Sequence, residues 1–239
     1  ESPAKIAGEV RSQIEKGELE EALAKIESLA KDESTANTAA LLRQTIASKL
    51  LASGKKEEAV AQATKAIDYL VANLDNPASA RMIPNALTMA SGILQRADQA
   101  KRAEELNDQV FKAIVGKLPE SEITPLHQTY STILKMRASR LMMSGDKEQA
   151  KSLLEADVLQ GEKILAANPK EPQATNYLMN AIGGLLPVVE KSQVKDLFGR
   201  IDKLALAQLE AKPDLSVLSS YMTTAGSYIS RASREEPES

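Results

Sequence analysis

A short recurring segment constrains the fold of this 239-residue chain more than any other feature. Its three clearest copies begin at Gly17, Gly54 and Gly145, and read GELEEALAKIESLA, GKKEEAVAQATKAI and GDKEQAKSLLEADV, with Ala five residues after each glycine. The positions four and seven residues after that Ala are apolar in the first two copies, whereas the third has Leu154 and then Asp157. Because spacings of four and seven share one face of an α-helix, each copy predicts a turn followed by an amphipathic helix.

Two degenerate copies extend the pattern. They carry Asp98, Ala103, Asn107 and Val110, and then Ser192, Leu197, Ile201 and Leu204. With turns at 17, 54, 98, 145 and 192, the intervals are 37, 44, 47 and 47 residues. Glycine supplies the left-handed conformation that ends a helix, and a small Ala lets two helices cross closely. The pattern therefore predicts a series of stacked helical hairpins.

Composition and helix-start signals also indicate an all-α protein. The chain is 43% hydrophobic but only 3% aromatic, and no sustained alternation of β-branched residues predicts a strand. Asn76-Pro77, Thr124-Pro125 and Glu171-Pro172 are typical of helix starts, and Ser192 and Asp214 are further N-cap candidates. We expect Pro84 to kink its helix or delay its start. The predicted helices cover approximately 3–16, 19–31, 34–53, 56–75, 77–96, 99–117, 124–144, 147–167, 171–186, 192–212 and 214–233.

The turn glycine, the Ala five residues later and the apolar residues that follow resemble the tetratricopeptide repeat. In the Gly54 copy, Ile46, Ala47 and Leu50 stand where this family has Leu, a small residue and an aromatic. In the Gly145 copy, Ala138 and Leu141 stand at the small and the aromatic position. The chain departs from the family in having no Trp, in Arg137 at an apolar position, and in intervals longer than the usual ~34 residues.

The resemblance implies a TPR-like α-solenoid of about five antiparallel helical hairpins plus a C-terminal capping helix. We expect residues 1–233 to form a single domain of this kind and 234–239 to form a polar linker or tail. The last helix is rich in Ser and Thr, which predicts a polar outer face that ends the stack or docks a neighbouring domain.

The resemblance also implies a peptide-binding groove lined by the first helix of each hairpin. Transferred position by position, the ligand-facing residues are Gln44 and Ser48, Thr88 and Gly92, and Lys135 and Ser139. The family's carboxylate clamp uses Lys, Asn and Arg at these positions, and only Lys135 fits it. The expected groove is accordingly neutral and hydrogen-bonding.

No motif in the chain indicates catalysis, a cofactor or a metal. Cysteine is absent, and His127, the single histidine, is expected to be structural or solvent-facing. Acidic pairs such as Glu57-Glu58 fall in opening helical turns, where they offset the helix dipole. Gly183-Gly184 lacks a phosphate-loop pattern, so we expect a helix C-cap there.

These observations predict a soluble, non-enzymatic scaffold that binds a protein or peptide. The alternative is a helical accessory or spacer domain N-terminal to an enzyme domain, for example a thioredoxin-like one, in a larger exported protein; its partner would be that adjacent domain. The net charge of −3 without a basic stripe argues against nucleic-acid binding, and no apolar window is long enough for a membrane span. The lack of cysteine favours an exported protein over a cytoplasmic one.

Overall fold

A computed structural model describes residues 2–30 and 35–233, and within these ranges it contains helices and no strands. This confirms the all-α prediction, and the described helices follow the predicted ranges closely; the predicted tail, 234–239, lies outside the described residues. The described ranges contain eleven helices: α1 (Pro3–Lys16), α2 (Leu19–Leu29), α3 (Ala36–Ala52), α4 (Lys56–Ala72), α5 (Pro77–Arg96), α6 (Ala100–Lys117), α7 (Pro125–Ser144), α8 (Lys147–Ala167), α9 (Pro172–Leu185), α10 (Lys191–Ala211) and α11 (Leu215–Ser233).

The recurring turn has the same backbone geometry in four of its five predicted positions. Gly17, Gly54, Asp98 and Gly145 have φ angles of 83°, 79°, 62° and 89°. In each case the next residue donates its backbone N–H to the carbonyl five positions earlier, at 2.8–2.9 Å, so each turn is a Schellman helix end. The fifth position is different, because α10 begins at Lys191 after an extended Glu190. Ser192 is therefore inside the helix, and its assignment as an N-cap was wrong.

The alanine that follows each of these four turns is buried in a helix interface. Ala22, Ala59 and Ala150 are fully buried and Ala103 is 2% exposed. A methyl group at this position allows the second helix of each hairpin to approach its neighbours closely. The sequence pattern therefore indicates both the turn and the buried helix contact that follows it.

The backbone forms two compact units, Glu1–Leu118 and Pro119–Ser239. In unit 1, the described helices contact only their first and second neighbours along the chain: α1 contacts α2 and α3, and α3 contacts α4 and α5. In unit 2, α7 contacts α8 and α9, and α9 also contacts α10 and α11. Within each unit, contacts are thus local in the chain, and the first helices of successive hairpins lie beside one another.

Gly183 and Gly184 lie within the last turns of α9, which runs through to Leu185, so the expected C-cap at these glycines was wrong. A Cβ at Gly183 would lie 3.2 Å from Thr224 Cγ2, and one at Gly184 would lie 2.7 Å from Lys135 Cε. The two glycines therefore allow α11 and the Lys135 side chain to lie against α9.

The outer surface of α11 is less polar than its serine content suggests. Ser219, Thr223 and Ser227 are exposed, as expected. The same helix also exposes four large apolar side chains: Leu215, Leu218, Met222 and Ile229. The helix therefore presents a mixed surface instead of a uniformly polar one.

Candidate functional site

A cleft of about 430 Å³ opens in unit 2 beside the first helices α7 and α9 and the start of α11. Its lining side chains recur at helical spacing on α7 and on α9, so each helix presents one face to the cleft. We call this the polar cleft, and its polar lining consists of amides at Gln128, Gln173, Asn176 and Asn180, hydroxyls at Ser131, Thr132, Tyr177 and Ser216, and the ammonium of Lys135.

A buried carboxylate lies beneath the polar cleft. Asp157, on α8, is fully buried. The Ser131 hydroxyl donates to its Oδ2 at 2.6 Å, and the Tyr177 hydroxyl donates to its Oδ1 at 2.7 Å. The carboxylate therefore links α7, α8 and α9 through two hydrogen bonds to charged oxygens, which are stronger than bonds between neutral groups.

Burial dominates the electrostatics of this cluster. It raises the pKa of Asp157, although the two hydroxyl donors and the positive charge of Lys135 act to lower it. Burial, together with the nearby Asp157 carboxylate, raises the pKa values of Tyr130 and Tyr177. Both phenols are therefore neutral, and Tyr177 acts as a hydrogen-bond donor.

Lys135 is held at the side of the polar cleft. Its Nζ donates to the Asn180 carbonyl oxygen at 3.1 Å, and its aliphatic stem passes over Gly184. Burial lowers the pKa of its ammonium, while attraction to Asp157 acts in the opposite direction. Asp157 and Lys135 thus influence each other's charge beside the cleft.

His127 supports the same region from within the core. It is fully buried, and its Nδ1 accepts from the Thr124 backbone N–H at 3.2 Å. Nε2 therefore carries the proton and donates to the Pro119 carbonyl oxygen at 3.1 Å. The imidazole meets the Tyr177 ring edge-to-face at 5.8 Å, and burial is the main cause of its lowered pKa. Both ring nitrogens are occupied and the ring is buried, which fits the structural one of the two expected roles and not the solvent-facing one.

The start of α11 closes one end of the cleft. The Asn176 amide donates to Ser216 Oγ at 2.7 Å, and the Ser216 hydroxyl in turn donates to Asp214. Asp214 also accepts from the backbone N–H of Ser216 at 2.8 Å and that of Val217 at 3.3 Å, which confirms it as an N-cap. The Ser216 hydroxyl is the main cause of its lowered pKa, and the backbone donors add to it. Among the described residues, Asn176 Oδ1 is buried without a hydrogen-bond partner.

The residues transferred from the repeat family have different environments. Lys135 lines the polar cleft, whereas Ser139, one turn later on α7, is exposed outside its lining. In unit 1, Ser48 is half-buried, and the exposed Thr88 donates its hydroxyl to the Pro84 carbonyl. Gln44 is only 2% exposed, and its amide nitrogen has no partner among the described residues. Their role as ligand contacts stays a prediction.

Sequence reasoning missed the buried cluster around Asp157, although the recurring segment contained a signal for it. Asp157 is twelve residues after its turn glycine, at the position occupied in other copies by Leu29, Ala66 and Val110. Those three residues are between 0% and 2% exposed. A carboxylate at a position that is apolar and buried in the other copies indicates that this side chain has hydrogen-bond partners in the core.

Compared with models of known protein families and with the sequences of curated proteins, the chain gives no match. None of the helices in the described ranges is long and apolar enough to cross a membrane. The described part of the chain also contains no group of three or more His, Asp or Glu side chains placed to hold a metal ion. The polar cleft is therefore interpreted from its own geometry.

Proposed function

We propose that this chain is a non-catalytic, TPR-like scaffold that binds an extended segment of a partner protein in the polar cleft. The observation that carries the proposal is the set of four amide side chains from α7 and α9 that line one cleft beside Lys135. This cleft lies on the first helices of successive hairpins, where the resemblance places the ligand.

Amide side chains suit the main chain of an extended peptide. Each offers an acceptor and two donors, the same groups that a peptide backbone presents. The Lys135 ammonium already donates to the Asn180 carbonyl oxygen and is attracted to Asp157, so the ligand need not supply an acidic group. Recognition of this kind selects for an extended conformation more than for a particular sequence of side chains.

The repeat geometry supports the TPR-like part of the proposal. Four Schellman turns are each followed by an alanine that is at least 98% buried, and helix contacts in each unit are confined to near neighbours. Hairpins that contact only their neighbours form the unit of helical-repeat proteins.

The hydrogen bonds beneath the cleft argue for binding over catalysis. A serine nucleophile needs a base that takes its proton, usually a histidine oriented by a third group. Ser131 donates to Asp157, while His127 donates to the Pro119 carbonyl, so no proton path joins the two side chains. The cluster links helices and presents no activated nucleophile.

A direct test uses four exposed cleft residues that do not belong to the core. The variant Gln128→Ala, Thr132→Ala, Gln173→Ala, Asn180→Ala removes hydrogen-bonding groups from both helices. Binding is measured by fluorescence anisotropy with labelled peptides selected against the full chain from a random display library. We expect at least a tenfold loss of affinity, since each lost hydrogen bond contributes about 0.5–1.5 kcal/mol.

The matched control is Gln149→Ala with Lys203→Ala, two exposed side chains on α8 and α10 outside the cleft lining. This variant should bind like the parent chain. Selected peptides that bind both variants with unchanged affinity would contradict the proposal, as would a selection that yields no binding peptide.

A further inference from the structure

A second concave surface in unit 2 has a chemistry opposite to that of the polar cleft. This apolar groove has a volume of about 550 Å³ and shares no lining residue with the polar cleft. Its walls are Leu165, Pro169, Leu204, Ala207 and Ala211. A concave site with mostly apolar walls and a few polar groups has the general character of a small-molecule site.

The floor of the apolar groove contains a buried polar pair that bonds internally. Thr175, 2% exposed, donates its hydroxyl to Oε1 of Gln208, 6% exposed, at 3.2 Å. This bond joins α9 to α10. The Thr175 hydroxyl and the Gln208 amide oxygen already bond to each other. The floor therefore has few free hydrogen-bonding groups for a polar ligand.

Two lysines add positive charge to this apolar surface. Lys170 and Lys212 line the groove, and both are exposed. The charge of Lys212 contributes to the lowered pKa of Asp214, whose carboxylate is hydrogen-bonded to the start of α11. A ligand anion would therefore face two ammonium groups beside apolar walls.

We propose that the apolar groove binds a free aliphatic monocarboxylate, with its hydrocarbon chain along Leu165 and Leu204 and its carboxylate between Lys170 and Lys212. The half-buried leucine side chains supply the surface that a hydrocarbon chain would remove from water. A peptide ending in aliphatic residues carries the same carboxylate, but its backbone amides would lack partners on these walls. This favours the free acid over a chain terminus.

The test is titration of the full chain with decanoate below its micelle concentration, followed by calorimetry and by amide chemical shifts. Three control compounds separate the two contributions. Decanol has the hydrocarbon tail without the charge, decyltrimethylammonium has the tail with the opposite charge, and acetate has the carboxylate without the tail. We expect decanoate to bind most tightly and to shift the backbone amide resonances of residues 207–212. Equal binding of decanol and decanoate would overturn the ion-pair assignment, and shifts confined to other helices would overturn the site.

The variant Lys170→Gln with Lys212→Gln should weaken decanoate binding about three- to tenfold, the range expected for two exposed ion pairs. Its matched control is Lys163→Gln with Lys203→Gln, exposed lysines on α8 and α10 outside the groove. An equal loss of decanoate affinity in the two variants would show that the overall positive charge, and not these two lysines, attracts the ligand. That result would overturn the proposal.

The source of the carboxylate is tested with a trileucine peptide, with and without C-terminal amidation. The proposal predicts weaker binding of the free-acid peptide than of decanoate; tighter binding would overturn it in favour of a chain terminus. This inference does not rest on the polar cleft, and the four-residue alanine variant of that cleft should bind decanoate normally.

Discussion

Helices α4 and α8 begin in the same way, and among the positions that are buried in both helices only one differs in polarity. Both follow a Schellman turn at a glycine, and both bury an alanine five residues after it. Twelve residues after the glycine, α4 has Ala66 and α8 has Asp157, and both are fully buried. The difference shows that one position of the recurring segment can hold either a small apolar side chain or a hydrogen-bonded carboxylate.

The two units bury charged groups differently. Each unit contains a neutral buried pair, since Asn107 donates to Ser91 Oγ at 2.8 Å in unit 1 and Thr175 donates to Gln208 in unit 2. Arg43 is 6% exposed, but its guanidinium reaches Glu27, whose side chain is 57% exposed, at 2.8 Å. In unit 2, the Asp157 charge is fully buried. The buried charge of unit 2 therefore depends on the hydroxyl donors of its neighbours, whereas that of unit 1 reaches the surface.

The largest expected effect comes from placing the acid of α8 into α4. Ala66→Asp should destabilise the chain by about 3–5 kcal/mol, because the buried carboxylate would lack the donors that Ser131 and Tyr177 provide. Urea unfolding followed by circular dichroism measures the change. Ala61→Asp, at an exposed alanine of the same helix, should cost less than about 1 kcal/mol. Similar losses in both variants would show that the buried position is not special.

Replacing the acid of α8 with an apolar residue should cost somewhat less. Asp157→Leu should destabilise by about 2–4 kcal/mol, because it leaves two buried hydroxyls without their acceptor. Adding Ser131→Ala and Tyr177→Phe should recover much of this loss, since an all-apolar contact replaces the unpaired groups. A triple variant less stable than Asp157→Leu, again by urea unfolding, would contradict the view that the hydroxyls cause the loss.

The turn glycines should give a smaller effect. Gly54→Ala and Gly145→Ala should each destabilise by about 1–2 kcal/mol, since a side chain is strained at positive φ. Gly8→Ala is the control: Gly8 is exposed inside α1 with nothing within 4 Å of an added Cβ, so alanine there should stabilise. Asp98→Gly should relieve backbone strain while losing the 2.6 Å bond from Lys56. Thermal unfolding of these variants would show whether left-handed geometry decides their order.

The smallest effects are expected in the pH dependence of unit 2. The folded-state pKa of Asp157 is raised, so its contribution to stability is greatest below the ordinary value of 3.8 and is lost as pH rises through the raised value. Asp157→Asn should remove that loss and flatten the stability profile above pH 3.8. Unfolding free energies measured across pH check this; a variant profile parallel to that of the parent would be inconsistent with a titrating Asp157.

His127 should act in the opposite direction. Its folded-state pKa is lowered, so its contribution is present above the ordinary value of 6.5 and is lost as pH falls through the lowered value. His127→Gln should weaken the fall in stability on the acid side. The same pH series measures it, and an unchanged acid limb would contradict the assignment of a neutral, buried imidazole.

Local signals account for what could be predicted before the structure. Gly54 and Gly145 mark left-handed helix ends, and Asp214 marks an N-cap, because these conformations depend on nearby backbone groups. Ser192 and Gly183 misled the prediction, since serine and glycine are also found inside helices when packing requires a polar or small residue. In the predicted ligand set, Lys135 reaches the polar cleft while Gln44 is buried, a difference that depends on neighbouring helices.

The sequence by itself determined the eleven helices and the repeated turns between most of them, because helix periodicity, capping and positive φ act over a few residues. Only the tertiary structure decided that Ser131, Asp157 and Tyr177 meet, since they come from three helices and their contact depends on how α7, α8 and α9 pack. Burial then set their charges and hydrogen bonds. The same packing placed the amides of α7 and α9 on one cleft, where the proposed function lies.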